Sequence, residues 1–231
     1  MGESLLGAET FIVIPARNEE PVLGAVLDDL VATHPRAQVV VVDDGSSDHT
    51  PEVAAARRVH VLRHIVNLGQ GASLRTGIDY ALAMGAEIVV TFDADGQMSA
   101  SDIPAIVNPL ATGDADVALG TRFAVHRPEG MSAARRLLLR AALIFTRLTS
   151  GLPVTDVHNG FRALNRKALE AMILTQNRMA HASEIIHEIA RLKLRWTEVP
   201  VRISYSDYSR RKGQSSLGAV DILLDLIFAK R

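Results

Sequence analysis

Two pairs of aspartates carry the residue types and spacing best suited to chemistry in this sequence. Asp43 and Asp44 follow the run Val39-Val40-Val41-Val42, and Asp93 and Asp95 follow Ile88-Val89-Val90-Thr91-Phe92. Carboxylates placed at the carboxyl ends of parallel strands converge on the crevice where such sheets bind ligands. Asp93 and Asp95, one residue apart, can share a hard cation such as Mg²⁺ or Mn²⁺, which prefers oxygen ligands and leaves positions open for phosphate oxygens. Gln97 adds a neutral oxygen to that set. A diphosphate leaving group needs counter-charge of this kind. Asp93-Ala94-Asp95-Gly96 is equally a turn sequence, since Asp and Gly both favour turns. Its position after a buried strand, with a second acidic strand end upstream, is what favours a site.

These acids need a scaffold, and the first half of the chain supplies the pattern of one. Short apolar runs alternate with helical stretches, as in a parallel sheet covered by helices. Strands are expected at 11–15, 38–42, 59–63, 87–92 and 116–120. The intervening helices follow Asn18, Thr50 and Gly71, with another at 103–111. Asn18 is an expected N-cap ahead of Glu19, Glu20 and Pro21, and Thr50 another ahead of Pro51 and Glu52. Asn67-Leu68-Gly69-Gln70-Gly71 precedes a helix and offers backbone N–H groups to an anion, or is a plain helix start. It is not G-x-G-x-x-G, so it adds little for dinucleotide binding. The second half is less regular. Helices are expected at 133–149, 181–192 and 217–228, and strands at 160–165 and 196–205, the last interrupted by Pro200.

The fold class expected is therefore α/β: a doubly wound, mostly parallel sheet with helices on both faces. A single domain spans 1–231, with a ligand-binding half at 1–125 and an acceptor-side layer at 126–231.

Composition narrows the function. The chain has 231 residues, 48% hydrophobic and 22% charged, enough for a substantial core. A formal net charge of -1 argues against a dedicated nucleic-acid binder. With no cysteine, disulfides, thiolate zinc sites and cysteine nucleophiles are excluded. No secretory signal is visible at the N-terminus, and no apolar run reaches the roughly 20 residues needed to cross a bilayer. A cytoplasmic protein, soluble or peripheral at the inner face of the membrane, is expected. Arg136, Arg140 and Arg147 share one face of the 133–149 helix beside an apolar face, a pattern suited to a lipid interface. The apolar 217–228 helix must pack on something: the domain itself, a second copy in a homodimer, or a small integral-membrane subunit.

The ordered set of motifs resembles family 2 glycosyltransferases. The resemblance rests on Phe11 to Glu19, Val41-Val42-Asp43-Asp44-Gly45-Ser46-Ser47-Asp48, Asn67 to Gly71, and Phe92-Asp93-Ala94-Asp95-Gly96-Gln97. It continues in Gly120-Thr121-Arg122-Phe123, Asp156-Val157-His158-Asn159-Gly160-Phe161-Arg162, Glu198-Val199-Pro200-Val201 and Arg210-Arg211-Lys212-Gly213-Gln214-Ser215. The later blocks are most similar to the dolichol-phosphate mannosyltransferase and polyprenyl-phosphate glycosyltransferase branch.

The resemblance implies a GT-A fold, a divalent metal (Mg²⁺ or Mn²⁺), a nucleotide-sugar donor and inversion at the anomeric carbon. It implies that Pro15, Asn18, Glu19, Asp43 and Asp44, with Gly69 and Gly71, hold the donor. Asp93, Asp95 and Gln97 would bind metal and diphosphate. Arg122 and Arg162 would face the sugar phosphates or the acceptor, and Arg210 and Lys212 would close over the diphosphate. Ser216 stands where the branch often carries a lysine. Asp156, His158, Asn159 and Glu184 fall on the acceptor side, His158 being more structural than catalytic in character. Glu184 is either a helix-start acid or the general base that a saccharide acceptor would require, whereas a polyprenyl phosphate is already an anion and needs none. A non-catalytic nucleotide-sugar-binding subunit is the alternative from another class.

Overall fold

The structure, a computed structural model, describes residues 6, 7, 9–122, 143–157 and 159–204. His158, Arg210, Lys212, most of the expected 133–149 helix and the expected 217–228 helix lie outside the described residues.

Seven strands form one sheet: β1 (Thr10–Ala16), β2 (Gln38–Asp43), β3 (His60–Arg63), β4 (Ile88–Thr91), β5 (Val117–Thr121), β6 (Arg162–Asn165) and β7 (Trp196–Pro200). Their order is β3-β2-β1-β4-β6-β5-β7. All pairings are parallel except those of β6, which runs antiparallel to both β4 and β5. The helices are α1 (Glu20–Thr33), α2 (Thr50–Ala55), α3 (Gln70–Ala83), α4 (Ile103–Ala111), α5 (residues 143–150), α6 (Arg166–Ala171) and α7 (His181–Leu192). This is the α/β, mostly parallel architecture expected from the alternating pattern.

Strand alternation builds two cores from the same sequence runs. Ile12 and Ile14 of β1, Val39 and Val41 of β2, and Val90 of β4 face Leu23, Leu27 and Leu30 of α1 and Ile103 and Ile106 of α4. Their neighbours Phe11, Val13, Val40, Val42 and Val89 face Leu74 and Ile78 of α3 and Ile185, Ile186 and Ile189 of α7. A strand buried on both faces has no polar positions until it leaves the sheet. The first polar residues past β2 and β4 are therefore forced to the sheet's carboxyl edge.

Several local expectations are corrected. Asn18 does not cap α1: it sits at φ 53 and its side chain makes no capping bond to that helix. It ties two loops together instead, donating its N–H to Ser46 Oγ at 2.9 Å and accepting from Ser47 N at 2.9 Å. The start of α1 is held from the opposite loop, with Glu19 N donating to Thr50 Oγ1 at 2.8 Å and Glu20 N to Asp48 Oδ2 at 3.2 Å. Thr50 is thus the first residue of α2 and not its cap; Asp48 accepts both its N–H and its hydroxyl. β7 ends at Pro200, on the sheet edge; beyond it Val201 N donates to Thr121 O at 3.1 Å and an isolated bridge joins Met98 and Ile203. α6, absent from the sequence expectation, is short and starts at Asn165, whose side chain accepts from Ala168 N at 2.9 Å.

Candidate functional site

The site lies beyond the carboxyl ends of β1, β2 and β4, where antiparallel β6 enters. The pairing Thr91↔Arg162 sets the start of β6 opposite the end of β4, which brings Gly160 against Asp93. Thr91 Oγ1 donates to the carbonyl of Gly160, fixing that crossing. A Cβ at Gly160 would lie 2.7 Å from each Asp93 carboxylate oxygen. Gly160 is therefore the wall of the Asp93 pocket, and only a hydrogen fits there.

Asp93-Ala94-Asp95-Gly96 is both a turn and a cluster of charge. Asp95 Oδ1 accepts from Gln97 N at 3.0 Å, and Gly96 takes φ 73. Asp93 accepts from the side-chain amide of Gln70 at 3.1 Å. Burial, then the neighbouring charge of Asp95, push the Asp93 carboxyl up to about 7, against the pull of Arg162 and Arg122. A carboxyl raised by burial and by a second carboxylate beside it is what a hard cation relieves. Among the described residues no three His, Asp or Glu side chains form a complete metal cluster. Two carboxylates plus substrate oxygens suit a Mg²⁺-type ion, which is commonly held by one or two carboxylates and phosphates. The residues present fit the group.

Asp43 and Asp44 divide their work. Asp43 is fully buried; Oδ1 accepts from Ser46 N at 3.2 Å. Arg63 Nε lies 3.1 Å from Oδ2 without the alignment of a hydrogen bond, so that buried oxygen has charge compensation but no donor. A ligand N–H at this edge would satisfy it. Asp44 is committed inside the protein: it bonds His64 Nδ1 at 2.8 Å and accepts from Leu68 N and Gly69 N, each at 2.8 Å. Burial works to raise its pKa, but these three bonds outweigh burial and hold the carboxyl below the usual range. Asp44 brackets the 67–71 loop, at the edge where the donor contact is expected.

The loop glycines have a packing role of their own. A Cβ at Gly69 would fall 2.3 Å from the Asn177 carbonyl oxygen, and one at Gly71 2.0 Å from that of Gln176. Leu68 and Gly69 spend their N–H groups on Asp44, and Ala72 donates its own to Asn177 O at 3.1 Å. These glycines let the 176–177 backbone press against the start of α3; the N–H groups of Leu68, Gly69 and Ala72 are not offered to phosphate.

Two of the arginines differ sharply. Arg122, just past β5, forms a two-point pair with Asp156: Nε to Oδ2 at 2.7 Å and Nη2 to Oδ1 at 2.8 Å. Asp156 thereby aims a guanidinium that keeps 20% side-chain exposure. Arg162 is only 3% exposed and donates to the carbonyls of Asn159 (3.1 Å), Val157 (2.8 Å) and Ala182 (3.4 Å). Burial pushes its pKa down to about 10, with Asp156 and Asp93 opposing. Arg162 is a buried cation that holds the Val157 and Asn159 carbonyls and acts on Asp93 through its field. Asn159 Oδ1 accepts from Phe161 N at 3.1 Å, while its buried Nδ2 has no partner.

The Glu184 carboxylate accepts from Thr175 N at 2.8 Å, Thr175 Oγ1 at 2.6 Å and Gln176 N at 3.0 Å, and so clamps the loop that abuts α3. Pro15 and Glu19 sit at the end of β1 and the start of α1, with Glu19 8% exposed. His64, Gln70, Arg63 and Gly160 were not singled out from sequence. The signal for Gln70 was there, since it lies inside the quoted 67–71 motif.

A sheet of this order, with one antiparallel strand between β4 and β5, is a GT-A type fold. Residues 11–173 match glycosyl transferase family 2, and the chain belongs to that family. It is 28% identical over 240 residues to UDP-N-acetylglucosamine--dolichyl-phosphate N-acetylglucosaminyltransferase of Methanococcus voltae, covering 95% of each chain. It is 30% identical over 201 residues to undecaprenyl-phosphate mannosyltransferase of Micrococcus luteus, covering 82% of this chain and 81% of that one. Among solved structures, glucosyl-3-phosphoglycerate synthase from Mycobacterium tuberculosis, in complex with Mn²⁺, UDP-glucose and phosphoglyceric acid, shares the fold. Its TM-score is 0.69 at 23% identity, covering 97% of this chain and 84% of that one. Among the described residues no helix is long and apolar enough to cross a membrane.

Proposed function

We propose that this glycosyltransferase moves a hexosyl group from a nucleotide-diphosphate sugar to a polyprenyl phosphate at the cytoplasmic face of a membrane. The donor side rests on the Asp93/Asp95 pair beyond β4, together with the buried oxygen of Asp43, the last residue of β2, which has no donor among the described residues. Asp43 accepts a ligand N–H, with Pro15, Asn18 and Glu19 forming the adjoining wall of the nucleoside pocket. Asp93, Asp95 and Gln97 hold Mg²⁺ or Mn²⁺, which when bound supplies counter-charge to the diphosphate.

On the acceptor side, Arg122, aimed by Asp156, orients the acceptor phosphate, and Asn159 offers its unpartnered Nδ2. An acceptor phosphate oxygen attacks the anomeric carbon as the bond to the diphosphate breaks, so configuration inverts. No proton need be removed from an acceptor that is already an anion. The engagement of Glu184 by the 175–176 loop supports this acceptor over a sugar hydroxyl. The relatives from Methanococcus voltae and Micrococcus luteus, named for dolichyl-phosphate and undecaprenyl-phosphate, support it as well.

The reading is tested by thermal shift with Mn²⁺ and a panel of UDP- and GDP-sugars. One nucleotide class should raise Tm in the wild type, because a ligand bound only by the native state stabilises it. Asp95→Ala should lose the metal-dependent part of the rise. A metal-independent shift of equal size in both proteins would overturn the metal assignment.

A further inference from the structure

Gln70 lies outside the Asp93-Ala94-Asp95-Gly96-Gln97 motif, yet its amide nitrogen is 3.1 Å from Asp93 Oδ1. A carboxylate that binds a cation can only accept hydrogen bonds, so the partner it needs is a donor with no charge to compete with the metal. A glutamine amide meets that requirement, whereas lysine or arginine would repel the cation.

The backbone that carries Gln70 is fixed from two sides. Asp44 holds the N–H groups of Leu68 and Gly69, just before it. Gly69 and Gly71, which flank it, are pressed against the carbonyls of Asn177 and Gln176. Asn177 O accepts from Ala72 N, and Glu184 fastens Thr175 and Gln176. His64, bonded to both Asp44 and Thr76 Oγ1 at 3.0 Å, completes the brace. The start of α3 is thus an anchored arm whose first side chain ends on Asp93.

We propose that Gln70 is a positioning residue which orients Asp93 for metal binding, anchored by the Asp44 bracket and the 175–177 loop. The inference rests on Asp93 being a metal ligand. Its consequence is a residue outside the metal's own ligands that sets metal affinity, by the 10- to 100-fold typical of supporting hydrogen bonds (about that range).

The test is Mn²⁺ titration of the purified full chain, with free Mn²⁺ read by electron paramagnetic resonance and no nucleotide present. Gln70→Met, close in size and lacking the donor, should weaken Mn²⁺ binding by about 10- to 100-fold. Its Tm in metal-free buffer should stay near that of the wild type. In an Asp93→Asn background the same change should have no further effect. Wild-type Mn²⁺ affinity in Gln70→Met overturns the inference and leaves the metal site standing. Equal loss of affinity in Gln70→Met with and without Asp93 also overturns it, since Gln70 would then act elsewhere. Wild-type Mn²⁺ binding that survives both Asp93→Asn and Asp95→Ala overturns the metal assignment and this inference together.

Discussion

Substituting Gly160 by alanine tests whether the position of Asp93 governs the chemistry. Gly160 does not occupy the left-handed region, so alanine brings no backbone strain there. Its methyl carbon would stand 2.7 Å from both Asp93 carboxylate oxygens, about 0.7 Å inside the 3.4 Å at which ordinary contact begins. The backbone at 160 is pinned by the Thr91 hydroxyl, so the carboxylate has to move. A displacement approaching 1 Å in a group that holds the reacting partners costs on the order of 100-fold in rate. That corresponds to about 2.7 kcal/mol of transition-state stabilisation. The assay is steady-state transfer from the nucleotide-sugar in saturating Mn²⁺, together with thermal melting. Gly160→Ala should lose about two orders of magnitude in kcat/KM while its metal-free Tm stays near the wild type's. A rate within a few-fold of wild type would refute the claim that this wall sets the carboxylate.

Further predictions concern single groups. In metal-free buffer Asp93→Asn should be more stable than wild type at pH 8. The raised pKa of Asp93, about 7, means its favourable neutral state is fully held below the unfolded carboxyl value and lost as pH rises through 7. The gap should be about 3–4 kcal/mol at pH 8 and close toward pH 4, as read from urea unfolding at both pH values. Mn²⁺ affinity should rise about tenfold per pH unit below 7 and level off above it, because binding displaces the Asp93 proton; a flat profile would contradict that. Glu184→Gln should destabilise the fold by about 1–2 kcal/mol through the 175–176 loop, yet leave the pH dependence of kcat unchanged. Loss of the acid-side limb, where a general base becomes protonated, would restore it as a base.

The sheet was legible because strands buried on both faces read as unbroken apolar runs, and the run Val39 to Val42 cannot be mistaken for a surface. The acids that end those runs were legible for the same reason. Side-chain partnership was not. Asp43 and Asp44 are adjacent and chemically alike, but the pleat turns one toward the ligand edge and the other into the His64 and 68–69 bracket. Arg162 looked like a phosphate ligand because guanidinium suits phosphate; only the register with Thr91 shows it buried against carbonyls. Asn18 and Thr50 have capping chemistry, but contacts between loops 28 to 31 residues apart claimed it first. Gly160 stands in the quoted 156–162 motif, but its close approach to Asp93 leaves no mark in local sequence.

Transfer itself is the direct test. The full chain is incubated with Mn²⁺, radiolabelled nucleotide-sugar of the class that raises its Tm, and dolichyl or undecaprenyl phosphate in detergent, then extracted with organic solvent. The account predicts label in the organic phase that requires the lipid phosphate and is lost in Asp95→Ala. Label that stays aqueous with the lipid phosphate, and appears in product only when a saccharide is offered, would contradict it.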